Sequence, residues 1–216
     1  MTVNASPAPA RTDTAASPAT VPTSDPTRFV RLGGLAMAAG AAAWALGTVL
    51  TYDVDPADGE YPLYYKASSL LFQLGLVALV AVQRRTRATG TGTFARRFLH
   101  AEHIMLGLAI ASSIQWMVAP DLSEDAVFLA LDAFWPLSML GMAAIGIRIA
   151  IAGRWRGAAR IWPAVAETWV LVMLPVSALA SAEVGSFVGA AHLLAGYAAL
   201  GVILAVRPEL TGVRDR

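Results

Sequence analysis

The sequence predicts an all-α membrane protein: a polytopic bundle of six transmembrane helices with a disordered N-terminal tail. Three observations carry this. Hydrophobic residues are 56% of the 216 and charged residues only 14%, whereas about a quarter of an average soluble domain is charged. Apolar runs of about 20 residues, enough for a helix to cross roughly 30 Å of hydrocarbon, recur along the chain with short polar links. Arginine and acidic residues alternate from one link to the next, the pattern of a chain that threads a membrane repeatedly.

Residues 1–27, MTVNASPAPARTDTAASPATVPTSDPT, are rich in Ala, Ser, Thr and Pro and nearly lack large apolar side chains. Such a segment cannot bury enough surface to offset the entropy of ordering it, so a disordered tail is expected. It does not read as a secretory signal, which would open on a basic segment and a short apolar core, because the first apolar run starts only at Phe29. The six spans are expected at 29–50, 63–82, 99–119, 126–150, 162–181 and 185–206, inside a transmembrane domain of residues 28–207 and ahead of a C-terminal tail, 208–216. No soluble domain fits into the links. In the first span, GGLAMAAGAAAWALG (33–47), small residues let a neighbouring backbone approach closely, which points to helix packing.

Orientation follows from arginine. Arg28 and Arg31, then Arg84, Arg85, Arg87, Arg96 and Arg97, then Arg154, Arg156 and Arg160, then Arg207, Arg214 and Arg216 fall on one side of the six spans. Asp53, Asp55, Asp58, Glu60, Asp121, Glu124, Asp125 and Glu183 fall on the other, with Lys66 alone near them. The positive-inside rule places both termini in the cytoplasm. Topology alone accounts for the arginine clusters, so they are read neither as nucleic-acid nor as anionic-lipid patches; the lipid bilayer is the expected partner and nucleic acid is not.

Without a single cysteine, disulfides, zinc–thiolate sites, iron–sulfur clusters and cysteine nucleophiles are excluded. Phosphate-binding and dinucleotide glycine loops, a His-Glu-x-x-His pair and a Gly-x-Ser-x-Gly elbow are also missing.

The informative residues are the ionisable ones within the spans, because a charge in hydrocarbon costs several kcal/mol unless it is paired, hydrated or neutralised. They are Lys66, His103, Asp132, Glu167 and His192, with Glu102 and Arg148 nearer the cytoplasmic boundary. Lys66, Asp132 and His192 are each followed at the same spacing by Leu-Gly, at 74–75, 140–141 and 200–201. All three lie on spans that run inward, so the chain reads as three helical hairpins, each presenting an ionisable residue at one depth. Asp132 and His192 lie about two turns from the outer end, or ~9 Å, and the long stem of Lys66 can reach towards them. A Lys–Asp–His cluster in an outward-facing polar cavity is therefore expected, and Gln73, Trp135 and Pro136 complete the candidate ligand-binding set. Pro136 lacks the N–H that would bond the carbonyl of Asp132, so a kink is expected there, with a carboxylate and a freed backbone oxygen on one residue. The structural alternative is an Asp132–Lys66 ion pair that fixes helix register.

A second polar cluster combines His100, Glu102, His103 and Glu167. His100, His103 and Gly107 share one helix face while Glu102 points elsewhere, and Glu167 lies at a depth similar to His103, which makes those two a candidate pair. His-x-x-His at a membrane boundary is a weak metal signal, and no metal is expected. A haem between His103 and His192 is rejected, because the two lie ~6 Å and ~20 Å from the inner end. No cofactor is expected.

The segments LDAFWPLSMLGM (131–142) and GRWRGAARIWP (153–163) resemble pieces of uncharacterised small six-helix integral membrane proteins of high-GC bacteria. That resemblance implies a bacterial cytoplasmic membrane location and no activity. Two classes of function fit the residues. In the first, the protein binds or moves a small solute or proton, with Asp132 as the switchable acceptor and Lys66 or His192 as counter-charge. In the second, it is an intramembrane enzyme acting on a lipid or isoprenoid, with Asp132 or Glu167 as a proton-donating catalytic acid. An accessory subunit whose charges only hold helices together is the third alternative. Six short spans are few for a self-contained carrier, so a transporter is expected to be a homo-oligomer.

Overall fold

In a computed structural model of the chain, residues 1, 25–54, 61–119 and 125–213 are described. Residues 2–24, which hold most of the expected tail, fall outside them, as do 214–216 and the acidic links at 55–60 and 120–124. Among the described residues the protein is all helical: α1 Pro26–Leu50, α2 Leu63–Arg85, α3 Thr93–Val118, α4 Ala126–Asp132, α5 Phe134–Ala152, α6 Gly157–Ala166, α7 Trp169–Leu179, α8 Ala182–His192 and α9 Ala199–Val206. A π-helical segment, Leu193–Ala198, joins α8 to α9, and a 3-10 turn, Pro208–Thr211, follows α9.

Five helical units have the length and apolarity to cross a membrane: α1, α2, and the tandem pairs α4–α5, α6–α7 and α8–α9. The expected span at 99–119 lies within α3, which has 26 residues and is not one of the five. The outer surface is apolar: Leu46, Leu71, Leu174 and Ile151 are among many large hydrophobic side chains left exposed, as lipid contact requires.

Helix α1 begins at Pro26, not at residue 29, because the Asp25 carboxylate accepts a hydrogen bond from the Thr27 N–H at 2.9 Å and proline suits the first helical position. Residues 26 and 27 of the expected tail are thus helical. α1 is the packing centre, in contact with α2, α8, the π segment and α9. In lipid, helices associate through close van der Waals contact, and glycines permit it. A Cβ on Gly34 would lie 2.5 Å from the Gly201 carbonyl oxygen, and one on Gly40 would lie 2.5 Å from that of Leu71. The core around this helix holds Met37, Trp44, Phe72, Leu76, Met142 and Tyr197.

The arginine-bearing helix ends gather at one pole. There Trp155 Nε1 donates to Thr86 Oγ1 at 2.9 Å, Arg148 Nε to the Thr89 carbonyl at 3.2 Å, and the Arg156 N–H to the Leu210 carbonyl at 2.9 Å. The expected C-terminal tail is therefore partly folded, with Pro208 and Thr211 buried.

Three of the long units are interrupted. Ala133 separates α4 from α5, three residues before Pro136. Glu167 and Thr168 separate α6 from α7, and the π turn starts directly after His192.

Candidate functional site

The outer polar residues meet on α3. Lys66, in the first turn of α2 and 8% exposed, donates from Nζ to the Trp116 carbonyl at 3.4 Å and lies 4.7 Å from the centroid of the Trp116 ring. Asp132, the last residue of α4, accepts from Ser112 Oγ at 3.2 Å. It lines a cleft of about 300 Å³ with Ser112, Gln115, Trp116, Phe128 and Leu129. Gln73 Nε2 donates to Ser113 Oγ at 2.6 Å, and Gln73 Oε1 is buried without a partner.

Lys66 and Asp132 thus touch the same stretch of α3 but make no ion pair with each other among the described residues. The ammonium is held by the Trp116 ring and carbonyl, which already supply the negative potential a lysine seeks. His192 stands apart. Its Nε2 is buried and unpartnered, its ring edge faces Gly196 on its own helix, and it does not line the Asp132 cleft. Trp135 belongs to an aromatic cluster, edge-on to Trp44 and to Trp169 at 5.8 Å each, while Pro136 is exposed in the first turn of α5. The three Leu-Gly pairs also differ in surroundings. Leu74 and Leu140 are 49% and 45% exposed, whereas Leu200 is fully buried. Gly75 packs on Met37, Gly141 on Glu102 and Gly201 on Ala38.

The deeper cluster assembles from different residues than the spacing suggests. The buried face of α3 is Leu99, Glu102, Leu106, Ala109 and Ser112, so Glu102 points into the bundle at 0% exposure. Its neighbour His103, about 100° further round the helix, is half-buried and donates from Nδ1 to the Leu99 carbonyl at 3.2 Å. His100 is exposed. Glu167, also at 0% exposure, caps the end of α6 and accepts from Gln83 Nε2 of α2. The candidate Glu167–His103 pair is replaced by this Glu167–Gln83 bond, with Glu102 and Tyr197 within electrostatic reach of Glu167.

Room for these groups comes from glycine. A Cβ at Gly141 would collide with the Glu102 carboxyl, and one at Gly146 would lie 2.5 Å from the Pro163 carbonyl oxygen, so α5 approaches α3 and α6 only because both residues are glycine. Among the described residues, five polar atoms in the cluster are buried without a hydrogen-bond partner: both Glu102 oxygens, Glu167 Oε2, Gln83 Oε1 and the Tyr197 hydroxyl. Among the described residues no Lys, Arg or His side chain bonds either carboxyl. Buried polar groups are nearly always satisfied, so this concentration of them makes the cluster the stronger candidate site.

Gln83 and Tyr197 were not among the sequence candidates. Both are uncharged, and a search for charges in apolar spans passes over them. Their available signal was an amide and a phenol within apolar runs. No known protein family, curated protein or solved structure matches this chain.

Proposed function

We propose that the chain is a multi-pass protein of a bacterial cytoplasmic membrane, with six spans and both termini in the cytoplasm, that binds and moves protons or a small cation. The Glu102–Glu167 pair is the buried site, and the cleft at Asp132 is its outer mouth. One observation carries the proposal. Two completely buried carboxyls from different helical units face a shared interior, and three of their four oxygens have no partner among the described residues. An ionised pair left alone there would cost several kcal/mol per charge, so protons or a bound cation must neutralise it.

Helix α3 links the two polar regions. Ser112 lies ten residues, or about 15 Å, beyond Glu102 on the same buried face. Leu106 and Ala109, each 1% exposed, close the path between them. Opening that path requires helices to move, and the breaks beside Glu167 and at the π segment are suited to hinge motion.

The test is flux through liposomes that carry the purified protein and an internal pH-sensitive dye, driven by an imposed membrane potential, with sodium or potassium gradients as separate arms. The parent should carry protons or one of these cations well above protein-free vesicles, and Glu102→Gln and Glu167→Gln should each lower the flux at least tenfold while still folding. Flux at the protein-free level, or unaltered in both folded variants, refutes the proposal. A changed lipid or isoprenoid profile in cells lacking the gene, with no flux, would favour the enzyme instead.

A further inference from the structure

At the arginine-bearing pole the ends of α1, α2 and α3 enclose a cleft of about 420 Å³. Arg84, Arg85, Arg87 and Arg96 line it, and among the described residues no acidic side chain does. Topology requires arginines near helix ends but does not require Arg84, Arg87 and Arg96 to converge on one concavity, where like charges repel. The backbone adds to the cost of this arrangement. Arg87 has a φ of +54°, a left-handed conformation that side-chain-bearing residues rarely adopt. One wall is apolar, with Phe29 and Leu99 beside the guanidiniums and the Arg85 group 4.9 Å from the Phe29 ring centroid.

We propose that this cleft binds a phosphate group carried by an anionic phospholipid. Guanidinium groups take phosphate oxygens in paired, charge-assisted hydrogen bonds, and several can share one phosphate. The apolar wall, at the end of membrane-crossing helices, suits the glycerol and first acyl carbons of a lipid rather than a soluble phosphate ester, and juxtamembrane basic clusters are favourable for anionic headgroups. This site is separate from the buried carboxyls and independent of what they carry.

The experiment uses the full chain in a zwitterionic detergent and titrates phosphatidylglycerol, phosphatidylcholine and inorganic phosphate in parallel, reading bound lipid by native mass spectrometry and stability by thermal unfolding. Phosphatidylglycerol should bind at least tenfold more tightly than phosphatidylcholine and raise the unfolding temperature. The double variant Arg87→Gln, Arg96→Gln should lose that preference. Arg154→Gln with Arg156→Gln, at the same pole but outside the cleft, should keep it. Inorganic phosphate that stabilises the parent as strongly as the lipid would keep the phosphate site and overturn the lipid as its source. Equal binding of the two lipids with no phosphate effect, or equal losses in both double variants, would overturn the site.

Discussion

Asp132 sits in an apolar run because α4 ends at it, leaving its carboxylate at a cleft where Ser112 supplies a hydroxyl. Lys66 reaches α3 one turn further on, at Trp116. Residues four apart share a helix face, so the two charges meet one surface without meeting each other. In detergent unfolding, Lys66→Met should cost about 1 kcal/mol for the lost cation–π contact. Asp132→Asn keeps an oxygen for Ser112 and should change stability by less than ~0.5 kcal/mol. The double variant should then be additive within ~0.5 kcal/mol. A coupling above ~1.5 kcal/mol would establish the register-fixing ion pair that the geometry lacks. The ionisable residues were legible in the sequence because a charge in an apolar span is costly wherever it points. Which of the adjacent Glu102 and His103 faces inward was not, since α3 is only weakly amphipathic and Gly141 decides the matter from another helix. Gln83 and Tyr197 escaped for a related reason: their transfer cost is too small to stand out along an apolar run.

At the scale of elements, the interruptions at Asp132, Glu167 and His192 bring ionisable groups to places where main-chain bonding is already disturbed. The first was legible, because Pro136 removes a defined hydrogen bond. The second depends on Thr168, whose Oγ1 bonds the Ala164 carbonyl at 2.9 Å and competes with the main chain between Pro163 and Pro175. The third depends on a neighbour. A Cβ on Gly196, within the π segment, would lie 2.9 Å from Ala166 Cα, so two of the breaks pack on each other beside Glu167 and Tyr197. Gly34→Ala would drive a methyl to 2.5 Å from the Gly201 carbonyl oxygen and 2.8 Å from the Ala205 nitrogen, both unyielding backbone. It should cost about 1–3 kcal/mol. Gly107→Ala meets nothing within 4 Å and should be neutral or stabilising, by up to about 1 kcal/mol of helix propensity. Thermal unfolding of the two variants in one detergent compares them directly, and equal shifts would show that α1 and α9 are not in this close contact.

For the whole molecule, the open question is α3, which is long enough to cross a membrane yet less apolar than the other units. Its polar groups account for the difference. Glu102 and Ser112 face the bundle, Gln115 bonds the Ala119 carbonyl at its own C-terminus, and Arg96 lies in the first turn at the arginine-bearing pole. The bundle also constrains it. α3 follows α2 at the arginine-bearing pole and packs against α2, α4 and α5, so its far end lies beside the first turn of α2, where Lys66 bonds the Trp116 carbonyl. The six crossings proposed above would put both termini on one side, and the arginine bias would put that side in the cytoplasm. The parent has no cysteine, so single-cysteine labelling of intact cells reads sidedness without background. Asp125→Cys and Glu183→Cys, both at exposed positions of the acidic pole, should react with a membrane-impermeant maleimide from outside. Thr93→Cys and Arg207→Cys, exposed at the other pole, should react only after permeabilisation. If α3 lay along the membrane instead of crossing it, Thr93 and Asp125 would label from the same side and the termini would be opposed, and the proposed path along α3 from the Asp132 cleft to Glu102 would lose its route through the bilayer.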